Sequence, residues 1–276
     1  MKTQACSLAA CWLVVLSASA GNAQMKYPLS AVAAPSGEIY VADRNLPGVW
    51  LIKDGKLTSF FQGPKQFRKP LNAIWCVALD ADGKLLAGDS ATREVYRFSD
   101  AGEASPLTKT QDIGIPISVA VNKQGDIFAA DLESSRIWKI AKAGGKPEVF
   151  ATVPAPRGIF ADSQDQLWVV SHGKDQLVRV DKEGKVSVVV KGRPFKFPHT
   201  VVVDDEENAF VCDGYAKTIW KVAKGSEKPA AWCKSDDFVN PVGLTQSKDG
   251  LLVVDPRAKA VFQVDKDGAA KKLELN

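Results

Sequence analysis

Two residues stand out for their chemistry: Arg157 in Pro156-Arg157-Gly158 and His199 in Pro198-His199-Thr200, each just after a proline. An arginine presents a planar fork that matches a carboxylate or phosphate with two hydrogen bonds. A histidine near its ordinary pKa of ~6.5 can take up and return a proton. Tyr215, in Asp213-Gly214-Tyr215, adds a phenol. One arrangement of the three is catalytic, with His199 as general base, Arg157 steadying an oxyanion and Tyr215 assisting. The other is recognition alone, with Arg157 holding an anion. Trp75, His172, Lys196 and Arg68 are the candidate ligand-binding residues around them. A purely structural role is open too: Arg157 and His199 can line a channel bridged by water or by neighbouring aspartates, and Trp75 can plug its mouth.

Other chemistries find little support. There is no Gly-x-Ser-x-Gly, so no nucleophile elbow. Of five cysteines, Cys6 and Cys11 lie near the start, and Cys76, Cys212 and Cys233 fall within strand patterns with no short metal-ligand spacing. These three read as buried small apolar residues with free thiols. The formal charge is +4, and no basic run is interleaved with aromatics, which argues against nucleic acid as a partner.

The first 23 residues differ in kind from the rest. Lys2 gives a basic start, Ala5 to Leu16 form an apolar run, and small residues follow to Ala23. That pattern predicts a secretory signal peptide, cut after Ala20 or, preferred here, after Ala23. Leu8-Ala9-Ala10-Cys11 imitates a lipoprotein box, but the apolar run continues past Cys11, which disfavours lipid anchoring. No later stretch has the ~20 apolar residues of a membrane helix. The expectation is an exported monomer, periplasmic or extracellular, with residues 24–276 as one domain.

What must position Arg157 and His199 is a repeat. The segments ending at Asp43, Asp89, Asp131, Ser171, Asp213 and Asp255 are copies of one apolar strand that closes, in five cases, on aspartate. Each is preceded by a strand opening on Pro28, Ile74, Pro116, Pro156, Pro198 or Pro241, with something small two residues on: Ser30, Cys76, Ser118, Gly158, Thr200, Gly243. A third strand (Val49-Trp50-Leu51-Ile52, Ile137-Trp138-Lys139-Ile140 and their equivalents), a glycine turn and a more polar fourth strand complete the unit. Four strands in roughly 40–50 residues is the signature of a propeller blade, and six copies predict an all-β, six-bladed β-propeller. All six copies begin with the inner strand, so ring closure is expected from packing of the first blade on the last. The uniformly small position suits the crowded centre. The aspartates read as turn-forming, bonded to backbone.

Pro-x-small, then apolar-Val-Ala-Asp, then Arg-Ile-Trp-Lys-Ile resembles NHL repeats, over Tyr27 to Asn276. Such repeats occur in lyases, lactonases and plain binding proteins, so the resemblance implies a fold and leaves function open. In gluconolactonase-like propellers a divalent cation is held by an acid, an Asn and an Asp; the corresponding positions here look like Leu29, Arg157 and His199, so the oxygen ligands of a hard cation are missing. In the peptidyl-amidating lyase, three histidines in Pro-His-Ser segments bind zinc. Pro198-His199-Thr200 is similar, but His172 and His199 are the only histidines, so that site cannot be built. No cofactor is therefore predicted, and a divalent cation stays open as an alternative although its expected ligands are not apparent.

In an up-and-down blade the first strand begins on the face where the second ends. One mouth of the channel should therefore gather Leu29, Trp75, Ile117, Arg157, His199 and Val242 with the residues at or just past the aspartates. Connecting loops add Phe67-Arg68-Lys69, Phe195-Lys196-Phe197 and Asp236-Asp237-Phe238 to that face. The reading favoured is a ligand- or protein-binding module acting through this mouth, with a small anionic molecule as ligand. The alternative is a gluconolactonase-like hydrolase or lyase using the same face.

Overall fold

The computed structural model describes residues 23–66 and 68–276. The expected signal peptide, Ala23 apart, lies outside the described residues, as does Phe67. The described chain folds into six sheets of four antiparallel strands, each in sequence order from inner to outer strand. The inner strands are Pro28–Ala33, Ile74–Leu79, Pro116–Val121, Pro156–Ala161, Pro198–Val203 and Gly243–Ser247. Each inner strand touches the next and the sixth touches the first, which closes a six-bladed β-propeller. Among the described residues no helix is long and apolar enough to cross a membrane.

The core is divided into wedges between neighbouring blades. Between blades 2 and 3, for example, Leu86 and Val95 meet Ile127, Ala129 and Trp138. This explains why the second strands do not alternate: Leu85–Asp89, Ile127–Asp131, Leu167–Ser171 and Ala209–Asp213 are buried at every position, because a sheet packs on both of their faces. Each Leu, Ile, Val or Phe side chain among them contributes about 1.5–3 kcal/mol by burial.

The small residue of each inner strand reaches the next blade. Ser30 Oγ accepts from Val77 N at 3.3 Å, Cys76 Sγ donates to Pro116 O at 3.5 Å, Ser118 Oγ accepts from Ile159 N at 3.2 Å, and Thr200 Oγ1 donates to Val242 O. In the other two blades the approach is too close for any side chain. A Cβ on Gly158 would sit 2.5 Å from His199 O, and one on Gly243 would sit 2.8 Å from Leu29 O. Small size at this position thus also lets neighbouring inner strands bond or touch.

Closure rests on packing of blade 1 on blade 6, where Ala31, Val41 and Trp50 meet Leu252, Val254 and Val261. Backbone bonds supplement it: Asn276 N donates to Gly55 O at 2.9 Å, and Asn276 O accepts from Leu57 N at 3.3 Å. Cys76, Cys212 and Cys233 are free and buried. Cys212 and Cys233 pair with Ile219 from opposite sides, two strand spacings apart, too far for a disulfide. Burial pushes the Cys76 thiol up to about 12 and that of Cys233 up to about 11.

Candidate functional site

Two backbone devices build the mouth of the channel. First, the opening residue of the inner strand pairs with the aspartate position, and the register then slips: Pro28 faces Asp43, Ile74 faces Asp89, Pro116 faces Asp131, Pro156 faces Ser171 and Pro198 faces Asp213. Leu29, Trp75, Ile117, Arg157 and His199 fall in these slips, and a bulge re-aims such a side chain. Second, the residue after the aspartate position donates its N–H to the residue before the proline. Arg44 N bonds Tyr27 O at 3.1 Å, His172 N bonds Ala155 O at 3.0 Å, and Gly214 N bonds Phe197 O at 3.2 Å. Both sets of residues are thereby fixed at one end of the channel.

The aspartates hold this frame together. Asp43, Asp89, Asp131, Asp213 and Asp255 are fully buried. Asp131 accepts from Gly114 N and Ile115 N of the preceding loop at 2.9 Å each, from Glu133 N and Ser134 N of its own turn, from the Ser134 hydroxyl and from Trp138 Nε1. Burial alone would raise its pKa, but these bonds outweigh it and hold the carboxyl below the usual carboxylate value. Asp43 is served in the same way by Lys26 N, Tyr27 N, Asn45 N, Leu46 N and Trp50 Nε1. The aspartates thus staple the inter-blade loops as well as capping their own turns.

Blade 4 departs from this plan. Its loop offers Pro154, which has no N–H, and Ala155, whose N–H goes to Ser135 Oγ at 3.2 Å. Ser171 replaces the aspartate, donating to Pro154 O at 2.7 Å and accepting from Gly173 N at 2.9 Å. The blade carrying Arg157 is thus the one without a carboxylate at this position.

Arg157 is half-buried and its Nε is buried with no hydrogen-bond partner. Burial lowers its pKa from the usual guanidinium value. Its Cζ lies 5.7 Å from the Phe197 ring. Phe197 stacks on exposed Tyr215 at 4.6 Å and meets His199 and His172 edge-on at 4.9 and 4.5 Å. His172 bonds Pro198 O through Nε2 at 2.7 Å. Burial lowers the pKa of His172, and the Pro198 carbonyl only partly offsets it. Burial, together with Arg157 and His172, pushes His199 down to about 3, so the expectation of an imidazole near its ordinary value is not met.

A cavity of about 290 Å3 opens here, and Trp75, Arg157, His199 and Tyr215 all line it. His172 stands behind, against Phe197 and His199, with ring centroids 6.4 Å from the latter. Lys196 and Arg68 are exposed and are not among the lining residues. Two arginines that sequence reasoning passed over do line it, Arg44 and Arg257. Their positions were legible: Arg44 follows Asp43 as His172 follows Ser171, and Arg257 lies two past Asp255 as Tyr215 lies two past Asp213. No lining residue is an aspartate or glutamate. The opposite end of the channel holds a recess of about 360 Å3 without any charged lining residue. Ser30, Cys76, Ser118 and Thr200 border both, forming the waist between them.

No family model and no curated protein matches the chain. Solved structures do share its architecture. Virginiamycin B lyase from Staphylococcus aureus is similar with a TM-score of 0.70 and 16% identity, over 90% of this chain and 84% of that one. A gluconolactonase from Xanthomonas campestris gives 0.72 and 13%, over 86% and 85%. A chain of a nidogen/laminin complex gives 0.70 and 17%, over 89% and 92%. At these identities the likeness is one of fold, and the fold serves enzymes and binding proteins alike. A divalent cation, as the gluconolactonase-like resemblance implies, needs oxygen ligands. Leu29, Arg157 and His199 in a cavity with no carboxylate lining do not fit it.

Proposed function

We propose that the protein is an exported recognition module that takes a small anionic molecule, through a carboxylate or phosphate group, into the Arg157 mouth of the channel. Export is inferred from residues 1–23, by sequence alone. The observation that carries the reading is the uncompensated Arg157. It enters no ion pair among the described residues, its Nε has no partner, and its blade has Ser171 at the position that is aspartate in the other five. A half-buried cation without a counter-charge is costly to keep and is relieved by an anionic ligand. The fork of Arg157 and the exposed ring of Tyr215 suit a planar anionic group entering from solvent. A hydrolase or lyase is the weaker reading, because a base pushed down to about 3 takes up few protons near neutral pH.

The test is a thermal-shift screen with inorganic phosphate and simple carboxylates, followed by titration of whatever binds. Arg157→Ala is expected to weaken binding at least about tenfold while moving the Tm by no more than about 2 °C. If Arg157→Ala instead unfolds the protein and leaves binding intact, Arg157 is a structural strut and the reading fails.

A further inference from the structure

The cavity has two cationic poles. Arg157 belongs to blade 4, whereas Arg44 lies at the second turn of blade 1 and Arg257 at that of blade 6. In a six-bladed ring blade 4 stands opposite blade 1 and two blades from blade 6, so Arg157 confronts Arg44 across the mouth, with Arg257 beside Arg44 in the neighbouring blade. Arg44 is held with its Cζ 4.6 Å over the Trp75 ring, and Trp75 is itself fixed by its Nε1 donating to Ser90 Oγ at 2.9 Å. Neither Arg44 nor Arg257 enters an ion pair among the described residues. The buried aspartates nearest them in sequence are already engaged: Asp43 by Lys26 N and Tyr27 N, and Asp255 by Val239 N and Asn240 N. The rest of the lining mixes apolar side chains, Leu29, Ile117 and Val242 among them, with polar ones such as Ser118, His199 and Thr200.

We propose that the ligand carries an anionic group at each end of a short apolar body, an α,ω-dicarboxylate being the simplest form. This deepens the anion reading above and rests on it. One anionic group at Arg157 leaves the guanidiniums of Arg44 and Arg257 unmatched, whereas a ligand charged at both ends neutralises both walls and lays its body on Leu29, Ile117 and Val242. At about 290 Å3 the cavity lies at the small end of ligand sites, which limits that body to a few carbons.

The experiment is calorimetric titration of the protein with succinate, adipate and suberate, each paired with the monocarboxylate of equal length: butyrate, hexanoate and octanoate. At least one diacid is expected to bind ten times more tightly than its monoacid. The Arg44→Gln/Arg257→Gln double variant and Arg157→Gln should each reduce that diacid to monoacid affinity. Equal affinity of diacid and monoacid at every length overturns the second pole and leaves the single-anion reading standing. If the folded protein, checked by its melting curve, binds neither these acids nor inorganic phosphate, both fall.

Discussion

Blades 3 and 4 are neighbours built on one plan, and they spend the same position differently. In blade 3, Asp131 gathers two N–H groups from the incoming loop, two from its own turn, a hydroxyl and an indole, while the bulge residue is Ile117. In blade 4, Pro154 withholds an N–H, Ser171 makes two bonds, and the bulge residue is Arg157. Some of the lost tethering returns elsewhere: Gln176 Oε1 accepts from Phe195 N at 2.9 Å and Asp175 Oδ1 accepts from Gly192 N at 2.7 Å. Even so, Gln176 Nε2 stays buried without a partner. The contrast teaches that Arg157 stands in the one blade whose scaffold gives up its aspartate, and that Ser171 ties its loop with fewer bonds than Asp131 does.

The largest effect that tests this contrast concerns stability. Asp131→Ala leaves buried N–H donors unpaired and is expected to cost on the order of 3–5 kcal/mol, against about 1 kcal/mol for Ser171→Ala, both read from urea unfolding. Equal costs would break the contrast.

The next effect concerns pH. His199 has a folded pKa of about 3, below the unfolded value of ~6.5, so the unfolded chain binds the extra proton. Its contribution to stability is complete above pH ~6.5 and is lost progressively as pH falls toward 3. Relative to His199→Gln, the unsubstituted protein should lose a few kcal/mol over that window, each pKa unit being worth about 1.4 kcal/mol. Parallel pH profiles for the two proteins would show that His199 is not confined beside Arg157.

The smallest effect is the sharpest on role. Arg157→Met, which keeps an unbranched stem and ends in a methyl where the unpartnered Nε stood, should leave stability unchanged or raise it by about 0.5 kcal/mol. A clear loss in thermal melting would make Arg157 part of the scaffold after all.

The aspartates of five blades, the prolines and the small residues between them specify blade number, strand order and the face on which Arg157 and His199 meet, because each is a local rule repeated in register. The free cysteines follow from the same logic, since strand order alone keeps Cys212 and Cys233 apart. Four matters waited for tertiary structure. The register slip that turns Arg157 toward the cavity depends on pairing between strands and has no marker in composition. The depressed His199 depends on what buries it and on the charge beside it. The linking of inner strands through Ser30, Cys76, Ser118 and Thr200 depends on how closely neighbouring blades approach. Finally, Arg44 and Arg257 sit in repeat positions that were visible in the sequence, but their shared cavity with Arg157 exists only because the ring closes, setting the first blade beside the last and opposite the fourth. Repetition along a chain fixes what each unit is; only closure in three dimensions fixes which units face one another.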